Sequence, residues 1–168
     1  PPSPPATPPS PPVAPFGYCH RSCPQTLEPV KTLSDEWRSV SAAPDREIRC
    51  DGRHAGSPMS YTVLPNASWF RFDGAAGTRL PSHPPTTQRA CGSTSPGWLQ
   101  GAHPRIGEPS LRASVCFGSQ ATFFSSCPIN TRVDVCACSY DAGRTITYTY
   151  RLPAPPECPS TYCATHDA

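Results

Sequence analysis

The sequence lacks the features that mark several large classes of protein. Its 168 residues contain no run of 18 or more apolar residues, so no membrane-spanning helix is predicted. Hydrophobic residues make up only 36% of the chain, below the roughly 45–50% that is usual for a globular domain. The net charge is +2 and is spread along the chain. We therefore expect neither nucleic acid nor an anionic membrane as a partner, and no membrane insertion.

The start of a secreted precursor is also missing. The chain opens at Pro1 without a methionine, and it has no charged segment followed by an apolar one, as a signal peptide would. We interpret the sequence as a processed or excised piece of a longer protein.

Cysteine, by contrast, is abundant. Ten cysteines in 168 residues are dense for a protein that lives among reduced thiols and ordinary for one that is exported, so we predict a secreted, extracellular protein. The length suits one domain with a moderate core. Disulfides would then supply much of its stability, roughly 2–4 kcal/mol each where they close long loops.

The first segment, Pro1–Pro15, reads PPSPPATPPSPPVAP and contains nine prolines. Because proline fixes φ and removes a hydrogen-bond donor, an extended polyproline II tail without a core is predicted. One interpretation is a stiff linker. Another is a glycosylated rod, since the segment resembles the SPP and PPSPP repeats of hydroxyproline-rich matrix glycoproteins of green algae and plants. A ligand for SH3 or WW domains fits less well, because those domains are intracellular.

A rod of this kind would carry O-glycans on hydroxyl groups and on hydroxylated prolines. The candidate O-glycosylation sites are Ser3, Thr7, Ser10, Pro4, Pro5, Pro8, Pro9, Pro11 and Pro12. An extended terminal segment could also dock on a neighbouring copy, and such a head-to-tail contact grows as a filament if it does not close. We therefore expect self-association, or association with other extracellular glycoproteins.

A single disulfide-rich domain is predicted over residues 16–163, followed by a short polar end at residues 164–168. Its strand-like segments are Ser68–Asp73, Arg112–Gly118, Arg132–Cys138 and Thr145–Leu152. One short helix is predicted near Leu33–Val40, with Thr32 or Ser34 as its N-cap. The predicted fold class is mainly β: a small disulfide-rich domain of short antiparallel strands with one short helix, preceded by a polyproline II segment.

The segment Thr145–Leu152 (TITYTYRL) alternates without a fault. Ile146, Tyr148, Tyr150 and Leu152 occupy one face, and Thr145, Thr147, Thr149 and Arg151 occupy the other. This pattern predicts an antiparallel strand with one face in the core and one in solvent. The preceding SYDAGR, Ser139–Arg144, predicts a hairpin loop. Residues 82–88 and 101–109 are polar and rich in proline and glycine, which predicts surface loops.

The cysteines are Cys19, Cys23, Cys50, Cys91, Cys116, Cys127, Cys136, Cys138, Cys158 and Cys163. Spacing alone leaves the pairing open. Because Cys136 and Cys138 lie two apart on a predicted strand, their side chains point the same way and can meet two partners on one neighbouring segment. Cys19 and Cys23 offer such a segment.

Zinc is a competing use for these cysteines. The CxC and CxxxC pairs, with His20 or His166, could supply four ligands. The spacings match no common zinc finger or ribbon, and an oxidising compartment competes for the thiolates. We therefore expect no metal site and no cofactor.

Several stretches fall in the order seen in one known family. They are LSDEWRS (Leu33–Ser39), Cys50-Asp51, WFRFDGAAGTRLP (Trp69–Pro81), CGSTSPGWLQGAHP (Cys91–Pro104), Val-Cys at Cys116, VDVCAC (Val133–Cys138) and YRLPAPPECPSTYC (Tyr150–Cys163). Between about Cys23 and Cys163 the chain resembles the uromodulin-type cysteine-rich domain, which occurs in eight-cysteine and ten-cysteine forms.

The resemblance implies a disulfide pairing. The pairs are Cys23–Cys136, Cys50–Cys158, Cys91–Cys163 and Cys116–Cys127, with Cys19–Cys138 as an extra bridge beside the first. The ten-cysteine form has one more half-cystine shortly before the position of Cys91, and a Cys-Cys doublet where this chain has Ser126-Cys127. In that family those two cysteines pair with each other, so their joint absence leaves no orphan.

The resemblance also implies a non-enzymatic part of a secreted or surface glycoprotein. Relatives carry N-glycosylation sequons at the positions of Gln100-Gly101-Ala102 and Arg151-Leu152-Pro153, where this chain has none. The single sequon here is Asn66-Ala67-Ser68, so Asn66 is the candidate N-glycosylation site. Glycan presentation to microbial adhesins is correspondingly less expected.

No catalytic residue is predicted. Nucleophile-elbow, zinc-protease, P-loop and dinucleotide-binding fingerprints are all missing from the sequence. His54, His83 and His103 lie in loop-like sequence, where a histidine is expected to be exposed to solvent. Asp35 and Glu36 are adjacent, so on a helix they point apart and suit the charge of its N-terminus rather than an acid–base pair.

Aromatic residues leave one alternative open, because exposed rings could stack on sugars. They are Trp37, Trp69, Phe70, Phe72, Trp98, Tyr148 and Tyr150. In a disulfide-rich domain with few aliphatic residues we expect them to form the core. The leading hypothesis is a non-enzymatic, secreted glycoprotein subunit or module with a structural role in an extracellular matrix, cell wall or surface filament. The alternative is a soluble module that recognises carbohydrate or presents glycans.

Overall fold

A computed structural model describes residues 18–44, 46–52, 60–61, 68–119, 127 and 129–166. Its strands are β1 (Lys31–Leu33), β2 (Arg49–Cys50), β3 (Ser60–Tyr61), β4 (Trp69–Phe72), β5 (Ser95–Gln100), β6 (Leu111–Phe117), β7 (Asn130–Cys138), β8 (Thr147–Arg151) and β9 (Ser160–Tyr162). Three short 3-10 turns lie at Glu36–Arg38, Gly74–Ala76 and Ala90–Gly92. No helix among the described residues has the length and apolar character needed to cross a membrane.

Seven strands form one sheet in the order β1-β4-β8-β7-β6-β5-β9. The four pairs between β4 and β5 in this order, β4-β8, β8-β7, β7-β6 and β6-β5, are antiparallel. The two edge strands pair in parallel, β1 with β4 and β9 with β5. β2 and β3 form a separate parallel pair. The predicted mainly β, disulfide-rich fold is confirmed.

All four predicted strands are present, with their ends shifted by one or two residues. β7 and β8 pair antiparallel from Cys138 and Thr147 onward, so the Ser139–Arg144 loop does connect a hairpin. Three strands of the large sheet, β1, β5 and β9, were not predicted. β5 contains Pro96 and Gly97, residues that are disfavoured in strands, and β1 and β9 have only three residues each.

The predicted helix near Leu33–Val40 is one 3-10 turn, Glu36–Arg38, whose N-cap residue is Asp35. Thr32 and Ser34 are not the cap. Thr32 belongs to β1 and pairs with Arg71 of β4, so the helix cannot begin before that strand has ended.

The core lies on one face of the sheet, which we call the inner face. Its buried side chains include Phe70, Leu99, Val115, Val135 and Tyr150, brought together by the register of neighbouring strands. Edge-to-face ring contacts complete it, with centroids 5.6 Å apart for Phe72 and Tyr150 and 5.3 Å apart for Phe117 and Tyr162. Such ring pairs add to the stabilisation from burial alone.

The opposite face, which we call the outer face, is not simply solvent-exposed. Thr149, predicted to face solvent, is fully buried. It pairs in register with Cys136, and a cluster of cysteines with Trp69 and Tyr140 packs on this face. Ile146, predicted to face the core, is 47% exposed because it precedes the first residue of β8. The alternation of this strand is therefore correct, but the burial predicted at these two positions is wrong.

The folded domain extends farther towards the C-terminus than predicted. Ala164 and Thr165 are buried, and they form isolated bridges with Ser39 and Arg79. Gly77, at φ +120°, lies so close to Thr165 that a Cβ built on it would be 2.6 Å from the carbonyl carbon of Thr165. The domain thus continues to Thr165 rather than ending at Cys163, and the expected polar end shortens accordingly.

Candidate functional site

Five disulfides join all ten cysteines. The bridges are Cys19–Cys138, Cys23–Cys136, Cys50–Cys158, Cys91–Cys163 and Cys116–Cys127. They are the same five pairs that the family resemblance implies. Four of them close sequence separations of 72 to 119 residues, so they join residues that are distant in sequence: the N-terminal segment to β7, and the C-terminal segment to Cys50 and Cys91.

Two of these bridges lie side by side on the outer face. Cys19–Cys138 and Cys23–Cys136 join one N-terminal segment to one strand, β7, with Cα–Cα distances of 4.6 and 5.9 Å. The sulfur atoms of Cys19, Cys23 and Cys138 lie within 4.8 Å of one another. Because each belongs to a disulfide, none is a thiolate that could bind a metal ion.

A buried ion pair connects the N-terminal half of the domain to β9. The Nη1 and Nη2 atoms of Arg38 donate to the two carboxylate oxygens of Asp51 at 2.8 and 2.7 Å. The backbone N–H of Tyr162 donates to the same carboxylate at 2.7 Å, and Arg38 Nη1 also donates to the Tyr162 carbonyl at 3.2 Å. Neither charged side chain is exposed. This pair is structural, because it is closed to solvent.

Three arginines form a cluster on the outer face, which we call the arginine patch: Arg112 on β6, Arg132 on β7 and Arg151 on β8. Asp134 lies directly between Arg112 and Arg151, because it pairs in register with both. Arg112 Nη1 is 3.0 Å from Asp134 Oδ1, and Arg151 Nη1 is 3.9 Å from Asp134 Oδ2. With Pro153 these residues line a shallow pocket of about 230 Å³.

The arginine patch was not predicted from the sequence. The sequence does contain a signal for it. On three predicted strands the charged residues alternate with the residues that are buried; they are Arg112, Arg132, Asp134 and Arg151. Charges that look evenly spread along the chain are gathered by strand pairing, so a net charge of +2 conceals a local concentration of arginine. The charges are therefore spread evenly along the sequence but not over this face of the sheet.

A second open pocket, of about 610 Å³, lies between Arg79, Ser82, His83, His103 and Tyr148. His83 is exposed, as expected, whereas His103 is only partly exposed. The His103 and Tyr148 rings are 4.6 Å apart, and Arg79 lies over Tyr148 at 5.7 Å. The expectation of a solvent-exposed His103 is wrong, because the ring packs on two tyrosines of β8.

His103 is held neutral by this packing. Burial, helped by the positive charge of Arg79, lowers the pKa of His103 to about 4. Burial also raises the pKa of Tyr150 well above its usual range, so the hydroxyl keeps its proton. Tyr150 Oη accepts a hydrogen bond from the Leu80 N–H at 3.1 Å, and its O–H can donate to His103 Nε2 at 2.8 Å. The His103 Nδ1–H then faces Ser82 Oγ at 3.4 Å.

The other sequence-predicted residues are not gathered into a site. Asp35 and Glu36 are exposed at the start of a 3-10 turn, which suits the helix-terminal role predicted for them. Phe70, Phe72, Trp98 and Tyr150 are buried, while Trp37, Trp69 and Tyr148 keep part of their surface. Asn66, His54, the tail Pro1–Pro15 and its candidate O-glycosylation sites lie outside the described residues.

Comparison with known proteins points to one family. The family model of the uromodulin-like domain matches residues 70–164, from the second residue of β4 to beyond β9. The chain is 32% identical over 96 residues to the pancreatic secretory granule membrane major glycoprotein GP2 of Mus musculus, covering 56% of this chain and 17% of that protein. The Rattus norvegicus protein of the same name is 32% identical over 97 residues, with the same coverage. The chain thus spans about a sixth of the length of these relatives.

Proposed function

Because the chain belongs to the uromodulin-like domain family, we propose that it is a non-enzymatic module of an extracellular glycoprotein with a structural role. The role is that of a rigid, protease-resistant unit in an extracellular matrix, cell wall or surface filament. The observation that carries the proposal is the set of five disulfides, which ties the N-terminal segment to the central strand β7 and the C-terminal segment to Cys50 and Cys91.

The architecture supports a structural role in two ways. Disulfides that close long loops limit the unfolded chain, and they persist in oxidising compartments outside the cytosol. The buried Arg38–Asp51 pair and the Cys50–Cys158 bridge hold β9 and the segment around Asp51 together, in addition to the apolar core. A unit built in this way keeps its shape where proteases and shear act on it.

Support for the glycoprotein part comes from the relatives and from the sequence. The relatives that match this chain are named glycoproteins, and this chain has one N-glycosylation sequon at Asn66. The proline-rich tail adds hydroxyl groups suited to O-glycosylation. Treatment with an N-glycosidase should therefore remove mass at Asn66, and the variant Asn66→Gln should not change on the same treatment.

Self-association is the further part of the proposal and rests on the composition of Pro1–Pro15. The test compares the full chain, secreted from a eukaryotic host, with a variant whose first 15 residues are replaced by an equally long Gly/Ser segment. Negative-stain electron microscopy and sedimentation velocity should show ordered polymer for the first protein and monomers for the second. Equal assembly of both proteins would exclude the tail as the docking segment.

Recognition of carbohydrate is the second candidate, and the pocket around Tyr148 favours it. A partly exposed aromatic ring flanked by Arg79, Ser82 and His83 offers both stacking and hydrogen-bonding groups to a sugar. In this case the chain would be monomeric, and the substitution Tyr148→Ala would abolish binding on a glycan array. A matched Tyr18→Ala change, at a tyrosine that is 45% exposed and lies outside the pocket, would leave the binding intact.

A further inference from the structure

We propose that the arginine patch binds an acidic polysaccharide, through the carboxylate or sulfate groups along the sugar chain. The proposal goes beyond the structural role above and does not depend on it. Strand pairing brings the three arginines together, because Arg112, Asp134 and Arg151 share one cross-strand row and Arg132 lies two residues before Asp134. Side chains two apart on a strand project from the same face, so all four project outward.

The patch is rich in positive charge. Three guanidinium groups and one carboxylate line the same pocket, and together their formal charges sum to +2. The side chains of Arg112 and Arg151 are 64% and 48% exposed, while that of Asp134 is 19% exposed. The carboxylate is therefore less exposed than these two guanidinium groups, and it accepts a hydrogen bond from Arg112 Nη1 at 3.0 Å, while Arg151 Nη1 lies 3.9 Å from it.

The platform under the patch is rigid. Arg112, Arg132 and Arg151 project from three adjacent strands near the centre of the seven-stranded sheet. Cys136, two residues beyond Asp134 on β7, is locked to Cys23. Trp69 pairs in register with Arg151 and packs against the disulfide cluster. A fixed backbone reduces the ordering that a ligand would otherwise have to impose.

The chemistry of the patch selects the occupant. The planar guanidinium fork matches the oxygens of carboxylate and similar oxyanions, and such charge-assisted pairs are stronger than neutral hydrogen bonds. The pocket of about 230 Å³ is smaller than the roughly 300–1,000 Å³ of sites that enclose a small molecule. It suits one acidic sugar unit whose chain continues along the surface. Five disulfides favour an oxidising compartment outside the cytosol and nucleus, which favours an acidic polysaccharide over nucleic acid as the polyanion that the patch would bind.

The experiment measures binding of the full chain, by surface plasmon resonance at near-physiological salt, to immobilised polysaccharides. Dextran sulfate presents sulfate groups, polygalacturonate presents carboxylates, and unmodified dextran is the neutral comparison. The test variant is Arg112→Gln/Arg132→Gln/Arg151→Gln. The matched control is Arg21→Gln/Arg105→Gln/Arg144→Gln, which removes the same charge from three exposed arginines elsewhere.

We expect saturable binding to at least one acidic polymer and none to dextran. The patch variant should bind at least roughly tenfold more weakly, since each lost charge-assisted bond contributes more than a kilocalorie per mole. The control should change less than about threefold, because exposed charges interact weakly at this ionic strength. Whichever acidic polymer binds more tightly identifies sulfate or carboxylate as the recognised group.

The triple variant removes both arginines that pair with Asp134, so it could bind weakly simply because it is destabilised. A single substitution avoids this problem. Arg132→Gln keeps both pairs of Asp134 and should still weaken binding several-fold. Equal losses in the patch and control variants would show attraction by net charge alone and would overturn the proposal. Tighter binding to phosphatidylserine vesicles than to either polymer would overturn it as well, as would unchanged binding by the patch variant.

Discussion

The guanidinium of Arg38 and the carboxylate of Asp51 form a bidentate pair, with N–O distances of 2.8 and 2.7 Å, and neither side chain is exposed to solvent. The same carboxylate accepts the backbone N–H of Tyr162. One buried charge pair therefore fixes the position of β9 relative to the N-terminal half of the domain. It explains in physical terms why LSDEWRS and Cys-Asp belong to one folding unit although the paired residues lie 13 positions apart in the sequence.

Removal of one member of this pair should be far more harmful than removal of both. Arg38→Met leaves the Asp51 carboxylate buried without its cation, and Asp51→Leu leaves Arg38 with only the exposed Asp35 carboxylate at 3.5 Å, so each change should cost about 3–5 kcal/mol of unfolding free energy. The double variant Arg38→Met/Asp51→Leu should lose less than either single variant. Guanidinium unfolding with the disulfides intact measures the coupling. The exposed Arg112→Met change serves as a control and should cost less than about 1 kcal/mol.

The paired bridges Cys19–Cys138 and Cys23–Cys136 should substitute for each other. While either remains, the same N-terminal segment is still tied to β7, so loss of the other frees only a few residues of chain. We expect each double alanine variant to lose less than about 1.5 kcal/mol, and the variant that lacks both bridges to lose about 3–5 kcal/mol. Chemical unfolding without reductant measures this. Losses that simply add would contradict the redundancy.

Gly97 is required where β5 meets its neighbours. A Cβ at this position would lie 2.8 Å from Phe117 Cε1 and 2.8 Å from the carbonyl oxygen of Thr161. Gly97→Ala should therefore destabilise the domain by about 1–3 kcal/mol through overpacking. Gly52→Ala is the matched control, since the nearest atoms there are 3.6 Å away, and its melting temperature should stay close to that of the unchanged protein.

His103 should make the domain sensitive to acid. Its pKa is about 4 in the folded protein against 6.5 as the ordinary value, so between these pH values the unfolded chain takes up a proton that the folded one does not. The stability of the domain should fall as the pH drops from 6.5 towards 4. Below pH 4, His103 should cause no further change in stability. Because the ring keeps part of its exposure, we expect about 1–2 kcal/mol rather than the full linkage value.

The variant His103→Gln isolates this contribution. Glutamine does not titrate, so the difference in unfolding free energy between neutral pH and a pH near 4.5 should shrink by that amount relative to the unchanged protein. Urea unfolding at both pH values gives the two differences. An identical acid dependence in both proteins would show that His103 is not the responsible group.

Four of the nine strands in the described part of the chain were predictable from local pattern, whereas the surfaces were not. Alternation of β-branched and aromatic residues identified β4, β6, β7 and β8, because a strand with one buried face imposes a period of two. The same period assigned Arg151 to the face opposite the core, but no face was predicted for Arg112 or Asp134. Only the register, which no local pattern encodes, brings them into one row.

Burial also depended on partners that are distant in sequence. Thr149 is covered because disulfides from the N-terminal segment pack on the outer face beside it. His103 is partly buried because Tyr150, 47 residues later, offers it a hydroxyl at 2.8 Å. Loop-like composition predicted the lack of regular structure around His103, but it gives no information on which side chain turns inward.

The most direct test of the proposed structural role is the state of the native glycoprotein recovered from extracellular material, with Pro1–Pro15 intact. Electron microscopy at near-physiological salt should show ordered polymer in which the domain recurs as a protease-resistant unit. Dispersed monomers under the same conditions would contradict the structural role and would favour the carbohydrate-recognition alternative.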